Sequence, residues 1–308
     1  MGSPVFKIHT LGCGSAKPTL RHLPSCTVVD FQNTLYMIDC GEGAQLEFLK
    51  RGLKPGRLSH ILLTHLHGDH VLGLPGLLSS LSLSKHTSPL TIHTFAEGKE
   101  MIESFMDFFG HPDTFRLNYN IIQPADDIIY ETPRLRIKSV KLDHRVNAVG
   151  YIFEEKKRLR TLLPKECSKY EIPVSAYRAI KEGADFIMPD GRILLNESLT
   201  LPPDNPLTYA HIADTAYMPD LAERIGRPDL IYHETTYLDA EEPLAVARGH
   251  STARQAAQVA KDCDARYLLT GHYSSRYSDD EGFLREATSI FPNTILNKEG
   301  ITIDLAAL

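Results

Sequence analysis

Hydrophobic positions along the chain fall into short runs separated by glycine, proline and asparagine. In the first third, runs rich in β-branched residues predict strands, and runs with a helical period predict helices. The predicted strands are Val5–Leu11, Cys26–Phe31, Leu35–Ile38 and Ile61–Thr64, and the predicted helices are Gly43–Leu53 and Gly76–Leu83. The chain therefore begins β-rich, and alternation of strand and helix follows.

The second half repeats this alternation. Strands are predicted at Leu135–Leu142, Leu207–Ala213, Leu230–His233 and Tyr267–Thr270, and helices at Met218–Ile225 and Ser251–Asp262, with Ser251 and Thr252 as caps for the last helix. Two β-rich halves interleaved with helices predict an α/β fold in which two stacked sheets are covered by helices, a four-layer sandwich. We expect one domain over residues 1–308.

One segment, from about Glu155 to Asp204, interrupts this rhythm with a charged start, several prolines and a turn-like Pro189-Asp190-Gly191. It predicts an inserted arm. Its first part, 156–169, has six basic residues against one acidic residue, a net charge of +5, although the whole chain carries −6. Phosphate contacts need local positive potential, so this segment is the candidate RNA-binding surface. A solvated surface stretch is the alternative.

The strongest chemical signal is His65-Leu66-His67-Gly68-Asp69-His70, directly after a predicted buried strand. Four potential metal ligands in six residues can serve two ions from opposite sides of one tight loop, and Gly68 is expected to permit the turn. The competing interpretation is a run of surface histidines in a chain that has 14 of them. Further candidate ligands follow later predicted strands: His144, Asp214 and His272.

The H-L-H-G-D-H sequence resembles the signature of the metallo-β-lactamase superfamily. Three further segments, Asp39–Gly43, Gly249–Ala253 and His272–Tyr277, together resemble the ribonuclease Z family, in the expected order and over nearly the whole chain. The resemblance implies the αβ/βα sandwich with an inserted arm, and two zinc ions per subunit.

The resemblance also implies roles for individual residues. One zinc would be bound by His65, His67 and His144, the other by Asp69, His70 and His272, with Asp214 between them. Asp69 would accept or orient a proton of the attacking water. His250, paired with Glu234, would protonate the leaving oxygen; alternatively, His250 packs near the helix that follows it. Asp39 is expected to hydrogen-bond the metal-binding segment without touching zinc.

The implied activity is a zinc-dependent endoribonuclease that removes the 3′ trailer from precursor tRNA. The products would be a tRNA 3′-hydroxyl and a 5′-phosphorylated trailer. The arm would grip the tRNA through Lys156, Lys157, Arg158 and Arg160, with Arg276 as a phosphate clamp, in a homodimer whose arms serve the partner's site. In the Arg21-His22 region the family often has asparagine second, so the role of His22 stays open.

Two alternatives remain. A hydrolase of small phosphodiesters, lactams or sulfate esters would use the same metal ligands and would not need the basic arm. A catalytically silent homologue that binds RNA or a protein typically lacks ligands, whereas all seven expected ligands are present here.

The cysteines and the apolar runs bear on where the protein works. The five cysteines form no C-x-x-C pair and leave one over under any pairing, which favours a reducing cytoplasm. The start, Met1–Pro4, has no signal-type pattern, and the apolar runs fall well below the roughly 20 residues of a membrane span. We expect a cytoplasmic protein with no membrane contact.

Overall fold

A computed structural model describes residues 5–110 and 112–308 of the chain. The first four residues lie outside the described part. The prediction that the chain has no secretion signal concerns these residues. The chain divides into two compact units. The main unit comprises the described residues up to 130 together with 137–153 and 208–308, and the arm unit comprises residues 131–136 and 154–207.

The strands are β1 (Phe6–Gly12), β2 (Cys26–Phe31), β3 (Thr34–Ile38), β4 (Leu58–Leu62), β5 (Leu90–Thr94), β6 (Leu117–Ile121), β7 (Asp127–Glu131), β8 (Leu135–Lys141), β9 (Val149–Glu155), β10 (Thr161–Leu162), β11 (Phe186–Ile187), β12 (Ile193–Leu194), β13 (Thr200–Leu201), β14 (Thr208–Ile212), β15 (Leu230–Glu234), β16 (Tyr267–Gly271), β17 (Thr294–Ile295) and β18 (Thr302–Asp304). The helices are α1 (Ala44–Lys50), α2 (Gly68–Val71), α3 (Leu74–Leu83), α4 (Ala96–Phe109), α5 (Pro164–Lys169), α6 (Tyr177–Glu182), α7 (Asn196–Leu199), α8 (Leu221–Ile225), α9 (Glu242–Arg248), α10 (Ala253–Asp262) and α11 (Glu281–Thr288).

Two seven-stranded sheets form the main unit. Their strand orders are β18-β1-β2-β3-β4-β5-β6 and β17-β16-β15-β14-β9-β8-β7. Strands β3 to β6 are parallel in the first sheet, and β14 to β17 are parallel in the second. Because parallel strands end at the same edge of a sheet, the segments after β4, β14 and β16 can meet there.

Each sheet packs its outer face against helices through its own apolar cluster. The first cluster includes Phe48 of α1 and Ile102 of α4, and the second includes Ala257 of α10 and Phe283 of α11. Between the sheets, Tyr36 of β3 meets Phe153 of β9 edge to face, with ring centroids 5.8 Å apart. The layers therefore run helix, sheet, sheet, helix, which confirms the predicted four-layer α/β sandwich.

Several predicted elements keep their type and change their bounds. Strand β2 matches its prediction, and α10 begins after Thr252, whose side chain accepts from Gln255 N in a capping box. The predicted helix Met218–Ile225 is shortened to α8.

The predicted strand Ile61–Thr64 is wrong at both ends, because β4 runs from Leu58 to Leu62. Thr64 N–H donates to a carboxylate oxygen of Asp39 at 2.8 Å, so it is not available to a sheet ladder. The strand therefore ends before the histidine segment begins.

The arm unit has a small apolar core of its own, formed by Cys167, Ile172, Ile180 and Leu199. Short strands pair β10 with β13 and β11 with β12, and the second pair is a hairpin. The unit begins one residue before the predicted arm, ends three residues after it, and also takes in 131–136.

Among the described residues, none of the helices combines the length and apolar character that crossing a membrane requires.

Candidate metal centre

The histidine segment ends in the first turn of a helix, where the sequence predicts one tight loop. His67 has extended backbone (φ −66°, ψ 150°) and precedes α2, so Asp69 and His70 project from a helical turn. Gly68 does not have a positive φ, and a Cβ at this position would meet only the Leu72 side chain, at 3.0 Å. The expected need for glycine in this turn is therefore wrong.

Glycine is needed at Gly41, opposite that turn. A Cβ on Gly41 would lie 2.5 Å from the carbonyl oxygen of Asp69, closer than packing permits. The absent side chain lets the 39–43 loop approach the backbone of α2.

The first group of candidate ligands consists of three histidines and one carboxylate. His67 Nδ1 lies 3.0 Å from His65 Nε2 and 3.3 Å from His144 Nε2. Asp214 Oδ2 lies 3.7 Å from His65 Nε2 and 3.9 Å from His144 Nε2. The four side chains can therefore surround one small cation.

The second group lies on the other side of Asp214. His272 Nε2 is 3.4 Å and His70 Nε2 is 3.5 Å from Asp69 Oδ2. The remaining oxygen of Asp214, Oδ1, is 3.3 Å from His272 Nε2 and 3.6 Å from His70 Nε2. One oxygen of Asp214 thus faces each group, which is the geometry of a carboxylate between two ions.

Two of these atoms also lack ordinary partners. His70 Nε2 and Asp214 Oδ1 are buried and accept or donate no hydrogen bond among residues 5–110 and 112–308. A buried polar atom left unpaired costs roughly 1–3 kcal/mol. Imidazole nitrogen and carboxylate oxygen are common zinc donors, so a metal would satisfy both atoms at once. The residues present fit a metal centre.

In three of the candidate ligands, the ring nitrogen that points away from the metal centre has a hydrogen-bond partner of its own. His70 Nδ1 donates to Asp39 Oδ2 at 2.7 Å, and His144 Nδ1 donates to the carbonyl oxygen of Gly249 at 2.7 Å. His272 Nδ1 lies 2.9 Å from Thr236 Oγ1. Such bonds fix the ring orientation and direct the other nitrogen toward a metal. Asp39 therefore lies behind the ligands, where the sequence predicts it.

A second buried carboxylate, Glu234, stands behind His250 at the end of β15. His250 Nδ1 lies 2.9 Å from Glu234 Oε1, which also accepts the Ser251 amide at 3.0 Å. The other oxygen, Oε2, accepts from Thr236 N at 2.8 Å and Thr236 Oγ1 at 2.7 Å. Glu234 is fully buried, and the His250 side chain is 15% exposed. One side of the imidazole is therefore fixed by the hydrogen bond to Glu234, and the other side is partly exposed.

This environment shifts the pKa values of both groups. Burial alone would lower the pKa of His250, but the charge and hydrogen bond of Glu234 prevail and raise it to about 9. Burial would raise the pKa of Glu234, but the opposite charge on His250 lowers it below its usual range. Both shifts favour the charged forms, a carboxylate on Glu234 and an imidazolium on His250.

A pocket of about 220 Å³ opens onto the metal centre and His250. Two arginines that the sequence argument missed, Arg145 and Arg248, line it. Their positions gave a signal, since one follows His144 directly and the other stands two residues before His250. Arg276 is not among the described lining residues; its guanidinium lies over the Tyr237 ring, 5.1 Å from the centroid.

The basic residues of the arm unit are largely paired within that unit. Lys156 Nζ is 3.1 Å from Glu131, and Arg158 is 2.7 Å from Glu155. Arg160 Nε donates to Thr200 Oγ1 at 2.6 Å. Residues 154–207 hold nine Lys or Arg and nine Asp or Glu, so the segment is neutral overall. Positive charge concentrates in one groove of about 540 Å³, lined by Lys157, Arg158, Arg160 and Lys181 together with Glu182 and Asp204.

The four-layer fold and the candidate metal centre are typical of one class of protein, and comparison with known proteins identifies the same class. The family model described as the metallo-beta-lactamase superfamily matches residues 21–272, so the chain belongs to that superfamily. It is 43% identical over 305 residues to a protein named Ribonuclease Z from Porphyromonas gingivalis, covering 97% of this chain and 99% of the relative. A protein of the same name from Phocaeicola vulgatus is 40% identical over 304 residues and covers 98% of each chain. Within the superfamily, the chain belongs to the ribonuclease Z family.

Among solved structures, the chain resembles human tRNase Z, short form, with a TM-score of 0.71. The sequence identity is 23%, and the match covers 97% of this chain and 99% of that one. At this identity the likeness concerns the fold.

Proposed function

We propose that this protein is a metal-dependent endoribonuclease that removes the 3′ trailer from precursor tRNA. The enzyme is a hydrolase of the ribonuclease Z type, and its products are a tRNA ending in a 3′-hydroxyl and a trailer bearing a 5′-phosphate. One observation carries the proposal: Asp214 turns one oxygen toward each of two ligand groups, and His250 stands 3.9 Å from the same carboxylate. The full-length identity to proteins named Ribonuclease Z supports the substrate class.

The metal ions that this site would hold are two zinc ions. His65, His67 and His144 would hold one, Asp69, His70 and His272 the other, and Asp214 would bind both. When bound, the metals supply positive charge that acidifies water and offsets charge on the phosphoryl oxygens.

The chain's own residues then handle two protons. Asp69 accepts or orients a proton of the water that attacks phosphorus. Its burial opposes ionisation, but the neighbouring His272 and His70 imidazoles hold the pKa of Asp69 well below its usual range, so it is a carboxylate. His250, charged through Glu234, protonates the ribose 3′ oxygen as its bond to phosphorus breaks. The phosphate stays on the trailer, and Arg145 and Arg248 are positioned in the pocket wall to bind it.

The direct test is incubation with a precursor tRNA and mapping of both new ends. We expect cleavage just past the discriminator nucleotide, and loss of cleavage after metal chelation with recovery on adding zinc. Mass spectrometry of the purified protein should find two zinc ions per chain. Cleavage by a metal-free preparation would contradict the proposal. Cleavage at positions unrelated to the discriminator nucleotide would contradict it as well.

We propose that the arm unit binds the tRNA body through the groove lined by Lys157 and Arg160. Glu155 N donates to Leu207 O at 2.9 Å, so the two ends of the segment are adjacent, and a short glycine-serine linker can replace 156–206. That replacement should abolish precursor tRNA cleavage and spare hydrolysis of bis-p-nitrophenyl phosphate. Survival of both activities would favour the small-molecule alternative.

We further propose a homodimer, and the exposed apolar residues of the main unit offer a surface for it. Leu46, Leu49 and Leu72 are each more than half exposed and line a groove of about 320 Å³. Leu46→Glu combined with Leu72→Glu should give a monomer in analytical ultracentrifugation. Leu83→Glu, at an exposed leucine outside the groove, is the matched control. A wild-type monomer would contradict the proposal.

We propose that the enzyme works in the cytoplasm. All five cysteines are unpaired and buried, as expected of a protein that folds in a reducing compartment. Fractionation of cells that express the natural gene, followed by immunodetection, tests this.

A further inference from the structure

The loop between β1 and β2 is closed at its base by one carboxylate. Gly14 N donates to Leu23 O at 2.9 Å. Glu299, far away in sequence, accepts from both ends of the loop through Oε1, from Cys13 N at 3.3 Å and from Leu23 N at 3.0 Å. Residues 13–23 therefore form a loop whose two ends share one acceptor.

His22 is held between two acidic side chains at that base. Its Nδ1 lies 3.1 Å from Glu299 Oε2, and its Nε2 lies 2.9 Å from Asp280 Oδ2. Arg21 Nη1 contacts the other oxygen of Asp280 at 3.3 Å. Two cations thus face two carboxylates, and His22 is only 7% exposed. A Cβ on Gly14 would lie 2.7 Å from the Cβ of His22, so the glycine leaves room for the histidine in this position.

The tip of the same loop reaches the metal centre. Ala16 N donates to Asp69 Oδ2 at 2.7 Å, and this residue adopts a left-handed backbone with φ 64°. Ser15 N donates to Tyr273 O at 3.1 Å, and Tyr273 N donates to Cys13 O at 2.9 Å. Tyr273 follows His272, so the loop is fixed to the backbone beside one candidate ligand while it contacts another.

We infer that His22, Glu299 and Asp280 act as positioning residues that hold the 13–23 loop so that its Ala16 amide orients the Asp69 carboxylate. The inference rests on the proposed function, in which Asp69 binds metal and handles a proton. A non-glycine residue with positive φ persists only where its surroundings hold it, and the ion pairs at the base of the loop do so. Loss of a group that orients a metal ligand typically costs about 10- to 100-fold in metal affinity or activity.

The test compares His22→Ala, Glu299→Gln and their double variant with Arg57→Ala. The control breaks the half-buried ion pair of Arg57 with Asp30, which does not touch the loop. Hydrogen exchange should rise in residues 13–23 only in the first three variants. Metal affinity from chelator competition and kcat should each fall about 10-fold, with KM for precursor tRNA almost unchanged. Because the residues act as one unit, the double variant should lose no more than the worse single variant.

Three results would overturn the inference. One is faster exchange in the loop with metal affinity and kcat intact. Another is an equal loss of kcat in Arg57→Ala, which would indicate general destabilisation. The last is a third metal equivalent that Cys13→Ser removes, since Cys13 Sγ lies 3.5 Å from both His22 Nδ1 and Glu299 Oε1 and the three side chains would then be a metal site.

A second variant and two substrate-independent measurements complete the test. If Glu299→Gln does not fold, Asp280→Asn retains an acceptor for His22 and removes only the charge, and smaller losses in the same quantities are expected. Exchange and metal affinity do not depend on substrate. They therefore decide the inference even if the protein does not cut precursor tRNA.

Discussion

Two buried carboxylate–histidine pairs stand on opposite sides of the metal centre. Asp39 follows β3 of the first sheet and lies 2.7 Å from His70 Nδ1; Glu234 ends β15 of the second sheet and lies 2.9 Å from His250 Nδ1. Both carboxylates are fully buried. The pairs differ in what the histidine faces with its other side. His70 Nε2 points at Asp69 and Asp214, whereas His250 forms part of the pocket wall.

The difference teaches that the carboxylate alone does not define the role of the histidine. Where the second nitrogen meets other candidate metal donors, the pair is suited to orient a ligand. Where the ring opens onto the pocket, the pair favours a charged imidazole, which suits the proton transfer proposed for His250. A third pair, Glu299 with His22, has a second carboxylate, Asp280, at the far nitrogen, and the imidazole is enclosed by ion pairs.

The largest effect is expected on the metal-binding side of the comparison. Asp69→Ala removes both a candidate ligand and the proton acceptor, so kcat should fall by several orders of magnitude while tRNA affinity is largely kept. Single-turnover cleavage and filter binding measure the two quantities. An equal loss of binding and turnover would instead indicate that Asp69 has a structural role.

A smaller loss is expected at the pair that faces the pocket. His250→Ala and Glu234→Gln should each lower kcat by roughly 10²- to 10³-fold, because proton transfer to the leaving oxygen is weakened. Metal content, measured by mass spectrometry, should stay at the wild-type value in both variants. Loss of metal in His250→Ala would erase the distinction between the two pairs, since His250 would then be a ligand.

Asp39→Asn tests the opposite pair and should act through the metal. Removing the charge behind His70 should weaken metal affinity by about 10-fold. Cleavage should then recover when zinc is supplied in excess. Glu234→Gln, with an equally buried carboxylate, is the matched control and should not recover. Recovery in both variants, or in neither, would contradict the separate roles.

The four layers and the convergence of the candidate ligands could be predicted from the sequence, because residues of ligand type follow buried strands whose ends share an edge. The sequence did not predict α4, whose exposed Phe108 and Phe109 blur the pattern of its apolar face. Nor could it predict Ala16, which acts through a backbone amide on a residue 53 positions away. The net charge of 156–169 was also misleading as a guide to free positive charge, since Lys156 and Arg158 are paired with Glu131 and Glu155, which precede that run.

The smallest effect is expected at the third pair and depends on pH. Hydrogen bonds that His22 donates to Asp280 and Glu299 raise the pKa of His22 from 6.5 to about 9, against the opposing effect of burial. The folded protein therefore retains a proton that the unfolded chain releases. This stabilisation, about 3 kcal/mol, is complete below the unfolded pKa and is lost as pH rises through the folded pKa. Denaturant unfolding should show His22→Gln clearly less stable than wild type near pH 6, with the difference shrinking toward pH 9 and above, whereas the deficit of Arg57→Ala should change little over the same range. A constant His22→Gln deficit would mean that His22 is neutral in the folded protein, and that its contacts stabilise the loop by packing instead of by charge.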